Sequence, residues 1–117
     1  MRAASQDPAQ LDRMFLALAD GRRRGMLDRL SRGPASVSEL AAPLGLALPL
    51  AVKQLAVLER GGFVASQKVG RVRTYAIEPQ ALDAMSAWVA RRKAQLNAQF
   101  DQLDAYLLEQ KKGKTPR

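Results

Sequence analysis

Residues 36–77 read SVSELAAPLGLALPLAVKQLAVLERGGFVASQKVGRVRTYAI, and the order of breaks in this stretch decides the fold. Ser36 with Glu39 three positions on is a capping box, a hydroxyl and a carboxylate satisfying the first free N–H groups of a helix. It opens a short helix with Val37, Leu40, Ala41 and Leu44 inward. Pro43-Leu44-Gly45 then predicts a tight turn with positive φ at Gly45. Pro49 suits the first turn of a second helix over 48–60. Its apolar face reads Val52, Leu55 and Leu58, and it stops at Gly61-Gly62. Two short helices joined by a Gly-containing turn make a helix-turn-helix, a pattern that many helical corners share.

After Gly62 the period changes from helical to alternating. Residues 63–69 and 72–77 read as strands joined at Gly70-Arg71. From Arg60 to Ile77 there are four basic residues and no acidic one. A hairpin with a basic tip directly after the second helix is a wing, and its position turns a common corner into an expectation of DNA binding.

Outward from this stretch, Asp7-Pro8 starts a first helix with Leu11, Met14, Phe15 and Leu18 at helical spacing. Asp20-Gly21 breaks it, and Asp20 caps a second helix over roughly 21–32 that buries Met26, Leu27 and Leu30 and ends at Gly33-Pro34. Pro79 starts a final helix to about Gln110, with Trp88 near its start. There Leu82, Met85, Val89, Leu96, Phe100, Leu103 and Leu107 recur at three-to-four spacing. About 30 helical residues span roughly 45 Å, more than so small a core covers, so a second copy of the chain is the simplest partner for the excess. The expected architecture is mainly α with a small β-hairpin: five helices and a two-stranded wing, dimerising through the first and last helices. Residues 1–6 read as a flexible N-terminus, 7–110 as one domain and 111–117 as a basic flexible tail.

Composition sharpens this by exclusion. The 117 residues are 47% apolar, enough for one globular core. There is no cysteine and no histidine, which removes disulfides, thiolate or imidazole metal sites and imidazole acid–base catalysis together. The eleven Asp and Glu are scattered. No enzyme, cofactor or metal site is expected. No apolar run is long enough for a bilayer, and residues 1–15 lack the apolar stretch of an export signal, so a cytoplasmic location without membrane contact is expected. The net charge of +8 is carried partly by Lys111, Lys112, Lys114 and Arg117, so the local basic stretch at 60–77 says more than the total.

The residues resemble a known family. Leu18-Ala19-Asp20-Gly21-Arg22-Arg23-Arg24-Gly25-Met26-Leu27-Asp28-Arg29-Leu30 is similar to the L-A-D-P-T-R-R-x-I-L-x-x-L opening of ArsR-type repressors. Ser38-Glu39-Leu40-Ala41 resembles their third helix. The run Lys53 to Val64 resembles their recognition helix and its exit, S-K-H-L-x-x-L-x-x-A-G-L-V, and Gly70-Arg71-Val72-Arg73-Thr74-Tyr75 their wing, G-R-x-x-x-Y. The resemblance covers about residues 11–110. It implies a homodimer that binds an operator dyad in double-stranded DNA and releases it on a signal. It departs from the metal-sensing branches: Val37-Ser38-Glu39-Leu40-Ala41 stands where these carry a C-x-C pair, and the last helix has no histidine. Ala47 replaces the usual capping Ser or Thr, and Val52 and Gln54 replace the commoner Ser and His.

On this reading Pro49, Leu50, Lys53 and Gln54 face the major groove, with Gln54 suited to adenine, Lys53 to guanine or phosphate and Leu50 to a thymine methyl. Lys68, Arg71 and Arg73 on the wing suit phosphate or minor-groove contacts, and Ser36 and Ser38 lie at a helix N-terminus that favours phosphate. Leu11, Met14, Phe15 and Leu18 with Met85, Val89, Leu96, Phe100, Leu103 and Leu107 are the expected dimer interface. Arg22-Arg23-Arg24 is ambiguous between a solvated face, ion pairs with Asp20 or Asp28, and DNA backbone contact. The inducing signal leaves no signature: an unidentified small molecule, a partner protein, a hard cation and no inducer at all stay open. The competing expectation is a winged-helix module that docks protein or RNA without reading DNA sequence.

Overall fold

The computed structural model describes residues 7–113. Its elements are α1 (Pro8–Leu18), α2 (Gly21–Leu30), β1 (Ala35–Ser36), α3 (Val37–Ala41), a 3-10 turn (Ala42–Leu44), α4 (Leu48–Arg60), β2 (Val64–Val69), β3 (Val72–Ile77) and α5 (Pro79–Gly113). Residues up to Met85 and residues from Ser86 onward form two compact units.

Local chemistry sets the boundaries. The Asp7 carboxylate accepts from the Ala9 N–H at 3.1 Å and starts α1, and Asp20 accepts from the Arg22 N–H at 2.7 Å and starts α2. Both halves of the capping box form at α3: Ser36 Oγ accepts from the Glu39 N–H at 3.2 Å, and the Glu39 carboxylate accepts from the Ser36 N–H at 2.8 Å. Gly45 takes φ +65, the left-handed conformation the turn requires. At the end of α4, Gly62 sits at φ +81 and its N–H reaches the Glu59 carbonyl while the Phe63 N–H reaches that of Leu58. This closing motif satisfies the last carbonyls of α4 and swings Phe63 into the core.

The sheet has three antiparallel strands in the order β1-β3-β2, one more than expected. Strand β1 is two residues long, pairing Ala35 with Tyr75 and Ser36 with Thr74, too short to show an alternation. In the wing proper Val64 pairs with Ile77 and Val69 with Val72, leaving Gly70-Arg71 as a two-residue turn. Phe63, Met14, Met26, Leu40, Leu55 and Leu58 are the largest fully buried side chains and join α1–α4 and the hairpin in one core.

Three expectations on the helices are corrected. Helix α4 buries Ala51, Gln54, Leu55 and Leu58, while Val52, expected inward, is 47% exposed. Met14, expected in the dimer interface, is 1% exposed: it fills the core of its own chain and has no surface to offer a partner. Leu11, Leu18 and Met85 are half-buried against that core, whereas Phe15 and Leu16 are exposed. In the second unit Val89, Leu96, Phe100, Leu103 and Leu107 are all exposed. Helix α5 runs to Gly113 rather than to about Gln110, so residues 111–113 of the expected tail are helical. Residues 114–117 and the expected flexible segment 1–6 lie outside the described residues. Within the second unit the Arg92 guanidinium lies 4.7 Å from the centroid of the Trp88 ring.

Candidate nucleic-acid interface

The segment from α3 through its 3-10 turn meets α4 at 109°, within the range of helix-turn-helix pairs that present a second helix to a groove. The N-terminus of α4 is chemically bare. Ala47 occupies the N-cap position and makes no side-chain cap bond, and Pro49 has no N–H. Pro49 and Lys53 are exposed, Leu50 is half-buried, and Leu48 is exposed, a residue the sequence reading passed over. Among the described residues Lys53 makes no hydrogen bond or ion pair.

Gln54 is the clearest correction. It was expected to meet an adenine, yet it is only 7% exposed and its Oε1 accepts from Arg23 Nη1 at 2.6 Å. The same guanidinium donates from Nε to the Ala17 carbonyl and from Nη2 to that of Leu16, both at 2.8 Å. One planar fork therefore ties the end of α1 and the middle of α4 to α2, which a single ammonium could not do. The rest of the arginine run is resolved in the same way. Arg22 pairs with Asp20 at 3.1 Å, and Arg24 donates to the Leu18 carbonyl at 2.7 Å. The hydrogen bonds from Arg22 hold the Asp20 carboxyl down at about 2, below its ordinary 3.8. The Glu39 carboxyl is lowered too, by the backbone bond that closes the capping box.

The wing register places Lys68 directly across from Arg73, so these two share a face. Arg73 Nη1 donates to Ser66 Oγ at 2.9 Å, and Arg71 lies in the turn itself. Lys68 and Arg71 are exposed and make no hydrogen bond or ion pair among the described residues. Tyr75, on the same face nearer the core, is buried, and that burial raises its hydroxyl pKa. Ser36 is committed to the capping box, whereas Ser38 is exposed. Among the described residues no group of three or more acidic side chains converges as metal ligands do, and no single helix is long and apolar enough to cross a membrane.

Comparison with known proteins agrees with this geometry. Residues 18–67 match the family model described as a helix-turn-helix domain. The HTH-type transcriptional regulator Rv2034 of Mycobacterium tuberculosis is 39% identical over 74 residues, 63% of this chain and 69% of that protein. The crystal structure of the ArsR family transcriptional regulator RHA00566 superposes with a TM-score of 0.75 at 49% identity, covering 79% of this chain and 95% of the other. A homodimeric winged helix-turn-helix DNA-binding domain of Mycobacterium bovis, Mb0332, gives 0.59 at 31% identity over 74% of this chain and 82% of its own.

Proposed function

The chain belongs to the ArsR family of winged helix-turn-helix DNA-binding transcriptional regulators, and from that premise we propose that it is a dimeric, non-enzymatic repressor of the cytoplasm that occupies an operator dyad. Helix α4 enters the major groove of each half-site, and the wing tip follows the adjacent backbone. Lys53, Lys68 and Arg71 meet phosphates or the base edges beside them, with Arg73 shared between Ser66 and DNA and Ser38 available to a phosphate. Gln54 has no place in this set, because its amide oxygen is already taken.

The observation that carries the reading is the set of exposed cations without a partner among the described residues, Lys53 on α4 and Lys68 and Arg71 on the wing, on a helix-turn-helix of the right angle. Dimerisation draws on Phe15 and Leu16 of α1, and on the exposed row Val89, Leu96, Phe100, Leu103 and Leu107 of α5. The domain on this reading is the expected one, residues 7–110, with helix α5 continuing to Gly113. With neither thiolate nor imidazole in the chain, any inducer is recognised without Cys or His ligands.

The test is selection of duplexes from a randomised library, then footprinting and light scattering of the complex. Two protected half-sites about one helical turn or a small multiple apart, bound by two chains, are expected. Binding without site preference that disappears as salt is raised, or a single protected half-site, would overturn the proposal.

A further inference from the structure

The outer surface of the first two turns of α4 is almost entirely apolar. Leu48 is 51% and Val52 47% exposed, and they lie four residues apart, so the two aliphatic side chains adjoin on one flank. Pro49 beside them has no donor, Ala47 before them has no hydroxyl, and Lys53 is the one charged residue of these turns. The amide that would pair with adenine, Gln54, is turned inward and bonded to Arg23.

A helix with this surface has little capacity to read bases by hydrogen bonds. In the major groove the apolar feature of a base edge is the C5-methyl group of thymine. We propose that Leu48 and Val52 form a methyl-reading surface, so that operator half-sites are chosen by where they place thymine methyl groups. The occupant is DNA rather than a protein because Lys53 stands beside the pair and the segment that follows, from Arg60 to Ile77, carries four basic and no acidic residues. The inference rests on the operator-binding reading above. It adds a chemical consequence: 5-methylcytosine, which carries its methyl at the same ring position, is an acceptable substitute where cytosine is not.

The test uses the full chain and a duplex selected from a randomised library, resynthesised with deoxyuridine in place of thymidine at one position at a time. Deoxyuridine pairs as thymidine does and removes only the methyl. At one or two positions in each half-site the substitution is expected to weaken binding about fourfold per methyl, the worth of one buried carbon. In Val52→Ala or Leu48→Ala, both at exposed positions, that sensitivity falls away at the position the lost side chain covered. At such a position cytosine weakens binding and 5-methylcytosine recovers part of the loss. Indifference of the wild type to deoxyuridine everywhere would overturn the inference while leaving the repressor reading intact. So would sensitivity that persists undiminished in both variants, since the methyl would then act through DNA shape or another residue. Recovery of no preferred duplex at all would overturn the operator reading itself, and this inference with it.

Discussion

Arg22, Arg23 and Arg24 at the start of α2 and Lys68, Arg71 and Arg73 on the wing carry the same formal charge, yet among the described residues all of the first three are bonded into the fold and only Arg73 of the second three is. The difference lies in the neighbouring acceptors. Helix α1 ends directly before the arginine run; its Leu16 carbonyl accepts the capping N–H of Ala19, and its last two carbonyls, those of Ala17 and Leu18, have no partner further along the helix. Asp20 adds a carboxylate at the break. Three cations placed there are drawn in by orphan acceptors and by the negative end of the α1 dipole. On the hairpin the backbone groups pair across the ladder instead, so the wing cations meet a single hydroxyl, that of Ser66. Whether a cation is free for phosphate is thus decided by which acceptors its own chain leaves unsatisfied nearby.

The largest expected effect of breaking this arrangement is at Arg23. Arg23→Ala removes three charge-assisted hydrogen bonds and leaves the buried Gln54 oxygen without its donor, a loss of about 2–4 kcal/mol of stability. A lower urea midpoint at unchanged slope checks it. Arg23→Lys recovers little, since a single ammonium cannot span α1 and α4. An unchanged midpoint with weakened DNA binding would move Arg23 into the wing's class and end the contrast.

Next is Gln54, whose role also shows what was legible in the sequence. Gln54→Ala should cost about 1–2 kcal/mol in stability and leave the base preferences of the protein unchanged. A binding-site matrix altered at one position would contradict the inward placement. The caps at Asp7, Asp20 and Ser36-Glu39, the turn at Gly45 and the wing hairpin were readable, because each is written within a few consecutive residues. The α4 face was not. Val52-Leu55-Leu58 and Ala51-Gln54-Leu55-Leu58 differ by which residue is sacrificed to the interior, and an amide goes inside only because Arg23, 31 positions away, supplies a donor. Distance in sequence also hid β1, whose two residues gain meaning only beside Tyr75 and Thr74. Met14 was misplaced because the apolar stripe of α1 has two sides, Met14 and Ala17 inward and Phe15 and Leu16 outward.

The wing side of the comparison gives a smaller effect, read in salt dependence rather than stability. Arg71 has no protein partner among the described residues, so Arg71→Ala should leave the melting temperature unchanged. It should reduce the slope of log affinity against log salt by about 1 if it neutralises one phosphate, whatever the DNA sequence. Arg22→Ala, whose guanidinium is already paired with Asp20, should leave that slope as it was. Equal changes in the two variants would erase the distinction between tied and free cations.

The smallest effect concerns Asp20, the acceptor that ties Arg22. Its carboxyl is held at about 2 in the folded chain against an ordinary 3.8, through hydrogen bonds from the Arg22 side chain and backbone. A carboxylate with a depressed pKa adds stability that is fully present above its unfolded value and is lost as the pH falls through the folded one. The contribution of Asp20 should therefore hold above about pH 4 and fade between pH 4 and 2. Asp20→Asn keeps an acceptor able to cap α2 but cannot pair with Arg22 as an anion. The gap in melting temperature between wild type and this variant should be constant near neutrality, shrink across that window and narrow in high salt, because both groups face solvent. The Glu39 carboxyl is also lowered, so the comparison is best repeated in a Glu39→Gln background, where the capping box no longer titrates. A gap that persists unchanged down to pH 2 would mean that the Asp20 side chain acts as a neutral cap, and Arg22 would then join Lys68 and Arg71 among the cations free to meet DNA.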